Sequence, residues 1–315
     1  MSSWTSSGPR NNLHDIVIFH KNCPDGSAGA WIYWSMLRPG QPDSTVSQTK
    51  FVPMEAGKYP RSLEVNGKNV LMIDVCPTRE EIDGIAGLAK SLVILDHHKS
   101  GERDVEGITV ATHPNVHIVF DMKRSGCQIA WDYFREGKRP WFLEVIADRD
   151  LWKWEYPDSK NYGHFLHHKG YYHNWDMMST LLTFTDEQKA EALAFGKVLA
   201  EIEKREVDFA VKYSSIRQMS TPDGETYKVR LTGCSHSIAS EVGNVLCGLG
   251  DCDFAVCYRY SYEKDEWWIS CRTDNDKIDL SVLTRKLGGG GHPRASGFDI
   301  KNSKNALQDF FKKIE

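Results

Sequence analysis

Hydrophobic positions in the first half of the chain come in short unbroken runs, and each run ends on a residue able to bind a metal ion or a phosphate. Ile16-Val17-Ile18-Phe19 leads to His20, Asn69-Val70-Leu71-Met72-Ile73 to Asp74, and Val93-Ile94-Leu95 to Asp96-His97-His98. Apolar runs of this length predict buried strands, and strands that alternate with helices predict a parallel sheet. A further apolar stretch, 142–147, precedes Asp148 and is read as a fourth element ending the same way. Side by side, these segments would bring His20, Asp25, Asp74, His97, His98 and Asp148 together at the carboxyl ends of the strands, where open α/β sheets place their sites.

Amphipathic segments with helix-start signals lie between the strands. Thr78 with Glu81 three residues later forms a capping box, and Ser125 caps a segment carrying Ile129, Ala130 and Tyr133, so helices are expected over 27–37, 78–89 and 125–135. Residues 161–175, rich in Gly, His and Tyr, break the periodicity. Ala, Glu, Lys and Leu then dominate 186–212 without a proline, which predicts one long helix. Beyond it, strands are expected over 227–231, 254–260 and 267–271 and helices over 238–246 and 280–286, followed by Gly288 to Gly291 and His292. The expected fold class is α/β: a parallel-sheet catalytic domain over 13–185, a connector helix over 186–213, and a smaller α+β substrate-binding domain over 214–315.

Composition narrows the function classes. A chain of 315 residues favours two domains over one core. With 39 Lys and Arg against 43 Asp and Glu, the net charge of −4 excludes a strongly basic carrier of long nucleic acids, so a nucleic-acid substrate would be short and held locally. None of the eight cysteines forms a C-x-x-C pair and several fall inside apolar runs, so they are read as reduced thiols. No apolar run is long enough to span a bilayer. The polar, Ser-rich leader 1–12 only faintly resembles a transit peptide, and a cytoplasmic location is the default expectation.

A cluster of carboxylates and imidazoles suits Mn²⁺ or Mg²⁺ better than structural zinc, which prefers thiolates. Asp96 has a second role open to it: accepting an imidazole proton and fixing a ring, which leaves His98 to face a phosphate as hydrogen-bond donor or general acid. In the second half, the glycine run would let backbone N–H groups approach a ligand closely, and Arg272 at a strand end is suited to clamp a phosphate.

These motifs resemble the DHH phosphoesterase superfamily, whose name is the Asp96-His97-His98 triplet. His20-x-x-x-Pro24-Asp25-Gly26, Ile73-Asp74 and Ala147-Asp148-Arg149-Asp150 are similar to its other three motifs. Ser270-x-Arg272 followed by Gly288 to His292 is similar to the DHH-associated domain of nano-RNases, single-strand exonucleases and alanyl-tRNA synthetase tails.

The resemblance implies two divalent ions, Mn²⁺ foremost with Mg²⁺ or Co²⁺ as alternatives. His20, Asp25 and Asp74 would hold one, and Asp74, His97 and Asp148 the other. Asp96 and His98 would be catalytic, and Arg272, Gly289, Gly290, Gly291 and His292 would bind substrate, with His292 facing the metal site across a cleft. Many relatives carry a second Asp where this chain has Ser27, which would weaken the second site. The implied activity is hydrolysis of short oligonucleotides or dinucleotides to 5′-mononucleotides through a metal-activated hydroxide. Alternatives are a cyclic-dinucleotide phosphodiesterase, a nucleoside 3′,5′-bisphosphate phosphatase, or a catalytically weakened nucleotide-binding regulator. No membrane partner is expected, and a homodimer is left open. Two groups stay ambiguous: His164, His167 and His168, as phosphate contacts or a surface loop, and Trp152 with Trp154, as a stacking platform or, slightly favoured, packing.

Overall fold

The computed structural model describes residues 13–38, 48–55, 59–60 and 62–313; the leader 1–12 lies outside them. Two compact units divide the chain, Met1–Ala200 and Glu201–Glu315, and the division falls inside the long helix Asp186–Lys212. No helix among the described residues is long and apolar enough to cross a membrane.

In the first unit a parallel sheet has strands β1 (Ile16–His20), β2 (Lys50–Met54), β3 (Asn69–Ile73), β4 (Ser91–Asp96) and β5 (Val116–Phe120) in the order β2-β1-β3-β4-β5. Strand alternation divides the apolar runs between two cores. Val17, Leu71, Ile73, Val93 and Leu95 face one core, shared with helix α1 (Pro24–Leu37). Ile16, Ile18, Val70, Met72, Leu92 and Ile94 face the other, shared with Ile82 and Ile85 of α2 (Arg79–Leu88). Both faces are therefore buried, which explains runs without polar alternation. β1 is the first strand yet has neighbours on both sides, so the chain order reverses beside it, and crevices form outside the carboxyl ends of strands at such a point.

The capping boxes at Thr78 and Ser125 are both formed, the latter opening helix α3 (Gly126–Phe134). The reading of 142–147 as a strand-like run is corrected: the segment lies in helix α4 (Trp141–Asp150), and its apolar residues are helix positions buried against the first core. Residues 161–175 are also largely helical, with α5 at Ser159–His168 and α6 (Trp175–Thr180) starting at Trp175. β2 and β5 carried weak signals. β2 holds Pro53, tolerated because the strand lies at the sheet edge.

The second unit is built on a mixed sheet ordered β10-β11-β9-β8-β7-β6-β12. Its strands are β6 (Ser215–Ser220), β7 (Thr226–Gly233), β8 (Phe254–Ser261), β9 (Glu266–Arg272), β10 (Gly290–His292), β11 (Ala295–Lys301) and β12 (Phe311–Lys312). β7 and β8 pair in parallel, and helix α7 (Ala239–Cys247) makes the crossover between them. The glycine run is partly a strand: Gly290 and His292 pair with Gly297 and Ala295.

Candidate metal centre

Three parallel strands deliver the centre. His20 is the last residue of β1, Asp74 follows β3, and Asp96 ends β4 directly before His97 and His98. Asp74 extends the ladder by donating its N–H to Leu95 O (2.8 Å) and then turns with φ 61°. A non-glycine residue held there costs on the order of 1–3 kcal/mol and is kept only where surrounding contacts over-determine it. Here those contacts are imidazoles. His97 Nε2 lies 3.1 Å from Asp74 Oδ1 and His20 Nδ1 lies 3.3 Å from Asp74 Oδ2.

Asp25 enters from the first turn of α1, where Pro24 occupies the N1/N2 region. Its carboxylate accepts hydrogen bonds from the Gly126 N–H, the Cys127 N–H (3.0 Å) and the Ser125 hydroxyl (2.7 Å), so it also serves the open N-terminus of α3. Its Oδ2 lies 3.8 Å from His97 Nε2. Glycine is required where these elements meet. A Cβ on Gly126 would fall 2.5 Å from Asp74 Cβ, and one on Gly26 would fall 2.6 Å from the His20 carbonyl oxygen.

Asp148, expected to complete the ligand set, is replaced in the structure by Asp150. Asp150 Oδ2 lies 3.3 Å from His97 Nε2, and Asp25, His97 and Asp150 place ligand atoms within 4.8 Å of one another. Asp148 instead accepts the Glu155 N–H at 2.8 Å and the Ser159 hydroxyl. Two residues on a helix are separated by roughly 200°, so both carboxylates cannot face one cluster. The signal that could have found Asp150 was the helical period of the preceding apolar residues.

Asp96 turns its carboxylate to His98, Oδ1 lying 2.8 Å from Nδ1, and so orients the second imidazole of the pair. The rings of His97 and His98 are 4.5 Å apart, and His20 meets His98 edge-on at 5.3 Å. Cys23, read from sequence only as one of the thiols, is a further neighbour: with His20 and Asp74 it forms a group whose ligand atoms lie within 4.8 Å. All eight cysteines are free.

Ser27 does not point at the cluster. Its hydroxyl donates to the Tyr172 carbonyl and accepts the Trp175 indole N–H at 3.1 Å. It is a structural tie, not a weak stand-in for a ligand. His164, His167 and His168 lie on α5 rather than on a loop, with His164 buried. Trp152 and Trp154 pack on each other with ring centroids 4.8 Å apart.

The electrostatics are those of a cation site filled by protons. Burial disfavours charge on His97, yet the Asp74 hydrogen bond and the charges of Asp150 and Asp25 push it up to about 10. His98 rises to about 9 against burial, chiefly through Asp96. Burial also works against the Asp74 carboxylate, but the imidazoles of His20, His97 and His98 hold it well below the usual range. Burial and Asp74 raise Asp25 to about 6, and burial with Asp25 and Asp74 raises Asp150. His20 Nδ1 and Asp74 Oδ2 face each other at 3.3 Å without an aligned hydrogen bond, and Asp96 Oδ2 is buried without a hydrogen-bond partner among the described residues. Carboxylates and imidazoles gathered in this way fit a divalent cation, which three overlapping groups could hold: Asp74, Asp96, His97 and His98; His20, Cys23 and Asp74; and Asp25, His97 and Asp150.

In the second unit, a cavity of ≈ 400 Å³ is lined by Arg272, Ser270, Gly289, Gly290, Trp268 and Arg259 among others. Arg272 donates to Ser270 Oγ (3.0 Å) and Ser240 Oγ (2.7 Å), which fixes its guanidinium, and Arg259 lies 4.1 Å over the Trp268 ring. Gly289 packs so closely that a Cβ would fall 2.0 Å from the Gly297 carbonyl oxygen. Gly291, with φ 140°, and His292 are exposed and do not line this cavity.

Residues 253–315 match the family model of the DHHA1 domain. Among curated proteins, the uncharacterized protein R106 of Acanthamoeba polyphaga mimivirus is 28% identical, over 98% of this chain and 74% of the viral protein. Among solved structures, the DHH domain of a member of the s1p family of ribosomal proteins superposes with a TM-score of 0.55 at 14% identity, covering 92% of this chain and 83% of that one. The chain shares the fold of that domain. A pGpG-specific phosphodiesterase, PggH from Vibrio cholerae, superposes with a TM-score of 0.47 at 12% identity, covering 93% and 94% of the two chains.

Proposed function

We propose that the chain is a metal-dependent phosphodiesterase acting on short oligonucleotides or dinucleotides and releasing 5′-mononucleotides. The observation that carries this reading is the cluster at the carboxyl ends of β1, β3 and β4, where Asp74 meets His20 and His97, and His97 meets Asp25 and Asp150. Divalent ions, Mn²⁺ foremost, would supply Lewis acidity toward the phosphoryl group and a water of lowered pKa. The protein's own residues do the rest. Asp74 reaches both His20 and His97 through its two oxygens and so ties the two halves of the ligand set together. Asp96 fixes His98 through its Nδ1, which orients the ring to donate to a phosphoryl or leaving-group oxygen. Arg272, fixed by two serines, supplies charge for a substrate phosphate. The balance of 39 basic against 43 acidic residues supports a short substrate, since tracking a long strand takes a basic surface.

The test is a product profile. Purified protein with Mn²⁺ is given RNA and DNA of graded length, from dinucleotides upward, beside a bis-aryl phosphodiester and cyclic dinucleotides. Release of 5′-mononucleotides, fastest from the shortest linear substrates and abolished by chelator, is expected. Full activity in excess chelator, or better degradation of long strands, overturns the reading.

A further inference from the structure

The loop that carries His20 into α1 also walls a second space, a cavity of ≈ 300 Å³ within the first unit. Phe19, Tyr172 and Trp175 supply aromatic surface, and Asn22, His167 and His173 supply polar edges. That mixture is typical of small-ligand pockets, and the volume lies at the lower end of their range of about 300–1,000 Å³.

The walls are held in advance of any ligand. Ser27 binds the Tyr172 carbonyl and the Trp175 indole with one hydroxyl, joining α1 to residues 145 and 148 positions away. Trp175 is further fixed by edge contacts with Phe51 (4.9 Å) and by Phe19 (5.8 Å). The cavity also adjoins the metal centre. Cys23 lines it, and the Cys23 sulfur lies within 4.8 Å of the ligand atoms of His20 and Asp74. A phosphate at the metal centre and a group in the cavity would be separated by little more than a side chain.

We propose that this cavity is a subsite for the nucleobase attached to the phosphate held at the metal centre; the proposal rests on the phosphodiesterase reading above. Every base offers a flat apolar face and a polar rim, which answers a cavity lined by aromatic rings and imidazoles. A second phosphate would find Lys21, already paired with Glu55 at 3.2 Å. Ser27 is then a positioning residue for the aromatic wall.

The test is calorimetric titration of the full-length, Mn²⁺-loaded protein with nucleoside 5′-monophosphates and with ribose 5-phosphate, which keeps sugar and phosphate but lacks the base. Nucleotides are expected to bind at least about tenfold more tightly. Trp175→Leu should reduce that preference, and His173→Ala, a change at an exposed position that does not disturb the core, should reduce it too, both leaving ribose 5-phosphate affinity in place. Equal binding of nucleotide and ribose 5-phosphate by the wild type, or a preference intact in both variants, overturns the subsite. A bis-aryl phosphodiester assay on the same sample separates the failures. Hydrolysis without base preference removes the subsite alone, whereas no hydrolysis and no binding of either ligand removes the phosphodiesterase reading together with it.

Discussion

Asp150 Oδ2 stands 3.3 Å from His97 Nε2, while Asp148, on the same helix, is spent on the Glu155 amide and the Ser159 hydroxyl. Two acids two positions apart therefore have separable jobs. Asp150→Asn should weaken Mn²⁺ binding at least about tenfold and lower activity with little change in the thermal stability of the chelated protein. Asp148→Asn should keep metal affinity within about threefold and lose about 1–3 kcal/mol of stability, because a buried acceptor of two hydrogen bonds is altered. Metal titration and urea denaturation of both variants check the assignment; the reverse pattern would return Asp148 to the centre.

Protons and metal ions compete for this site. The carboxylates of Asp74, Asp150 and Asp25 push His97 up to about 10 against burial, and Asp96 with Asp74 pushes His98 up to about 9, from about 6.5 for a free imidazole. A raised imidazole pKa contributes stability that is complete below about pH 6.5 and is lost as pH climbs through the folded values. The chelated protein should therefore melt at lower temperature at pH 10 than at pH 7. Mn²⁺ affinity should rise between pH 6 and pH 9, with protons released on binding. Calorimetry in two buffers of different ionisation enthalpy measures the release, and proton-independent binding would contradict the arrangement of charges.

Replacing Ser27 by Asp does not create a metal ligand. The side chain is buried between the Tyr172 carbonyl and the Trp175 indole, and a carboxylate cannot donate to the carbonyl. Ser27→Asp should destabilise the protein by at least about 2 kcal/mol, and Ser27→Ala by about 1 kcal/mol. The Mn²⁺ concentration for half-maximal rate should not fall in either. A tighter metal requirement in Ser27→Asp would show that the residue can swing to the centre.

Glycine tolerance maps the tight end of the sheet. Gly126→Ala drives a methyl to 2.5 Å from Asp74 Cβ and 2.9 Å from Asp25 Oδ2, so metal binding and stability should both suffer. Gly84→Ala, in the exposed face of α2 with nothing within 4 Å, should instead stabilise by about 0.5–1 kcal/mol. Melting temperatures of the pair, with and without Mn²⁺, are the measurement.

Much of the first unit was legible along the chain because its signals are local. Strands buried on both faces need unbroken apolar runs, helix starts need their own capping side chains, and His20, Asp74 and His97 follow their strands directly. β5, β6 and β11 gave no comparable run: Ser215 to Ser220 alternates polar residues, and a strand whose neighbours supply its hydrogen bonds needs little apolar signal of its own. What tertiary structure decided was partnership at a distance. Sequence places Asp148 and Asp150 equally near the apolar stretch, but the rotation of α4 against the sheet selects Asp150, since a helix turns about 100° per residue. Sequence places Ser27 two residues after Asp25 and leaves its role open, but packing of 172–175 against α1 gives its hydroxyl to a carbonyl and an indole. Residue types and strand ends were fixed by short-range pattern, whereas the facing of each side chain was fixed by the rigid packing of elements far apart in the chain.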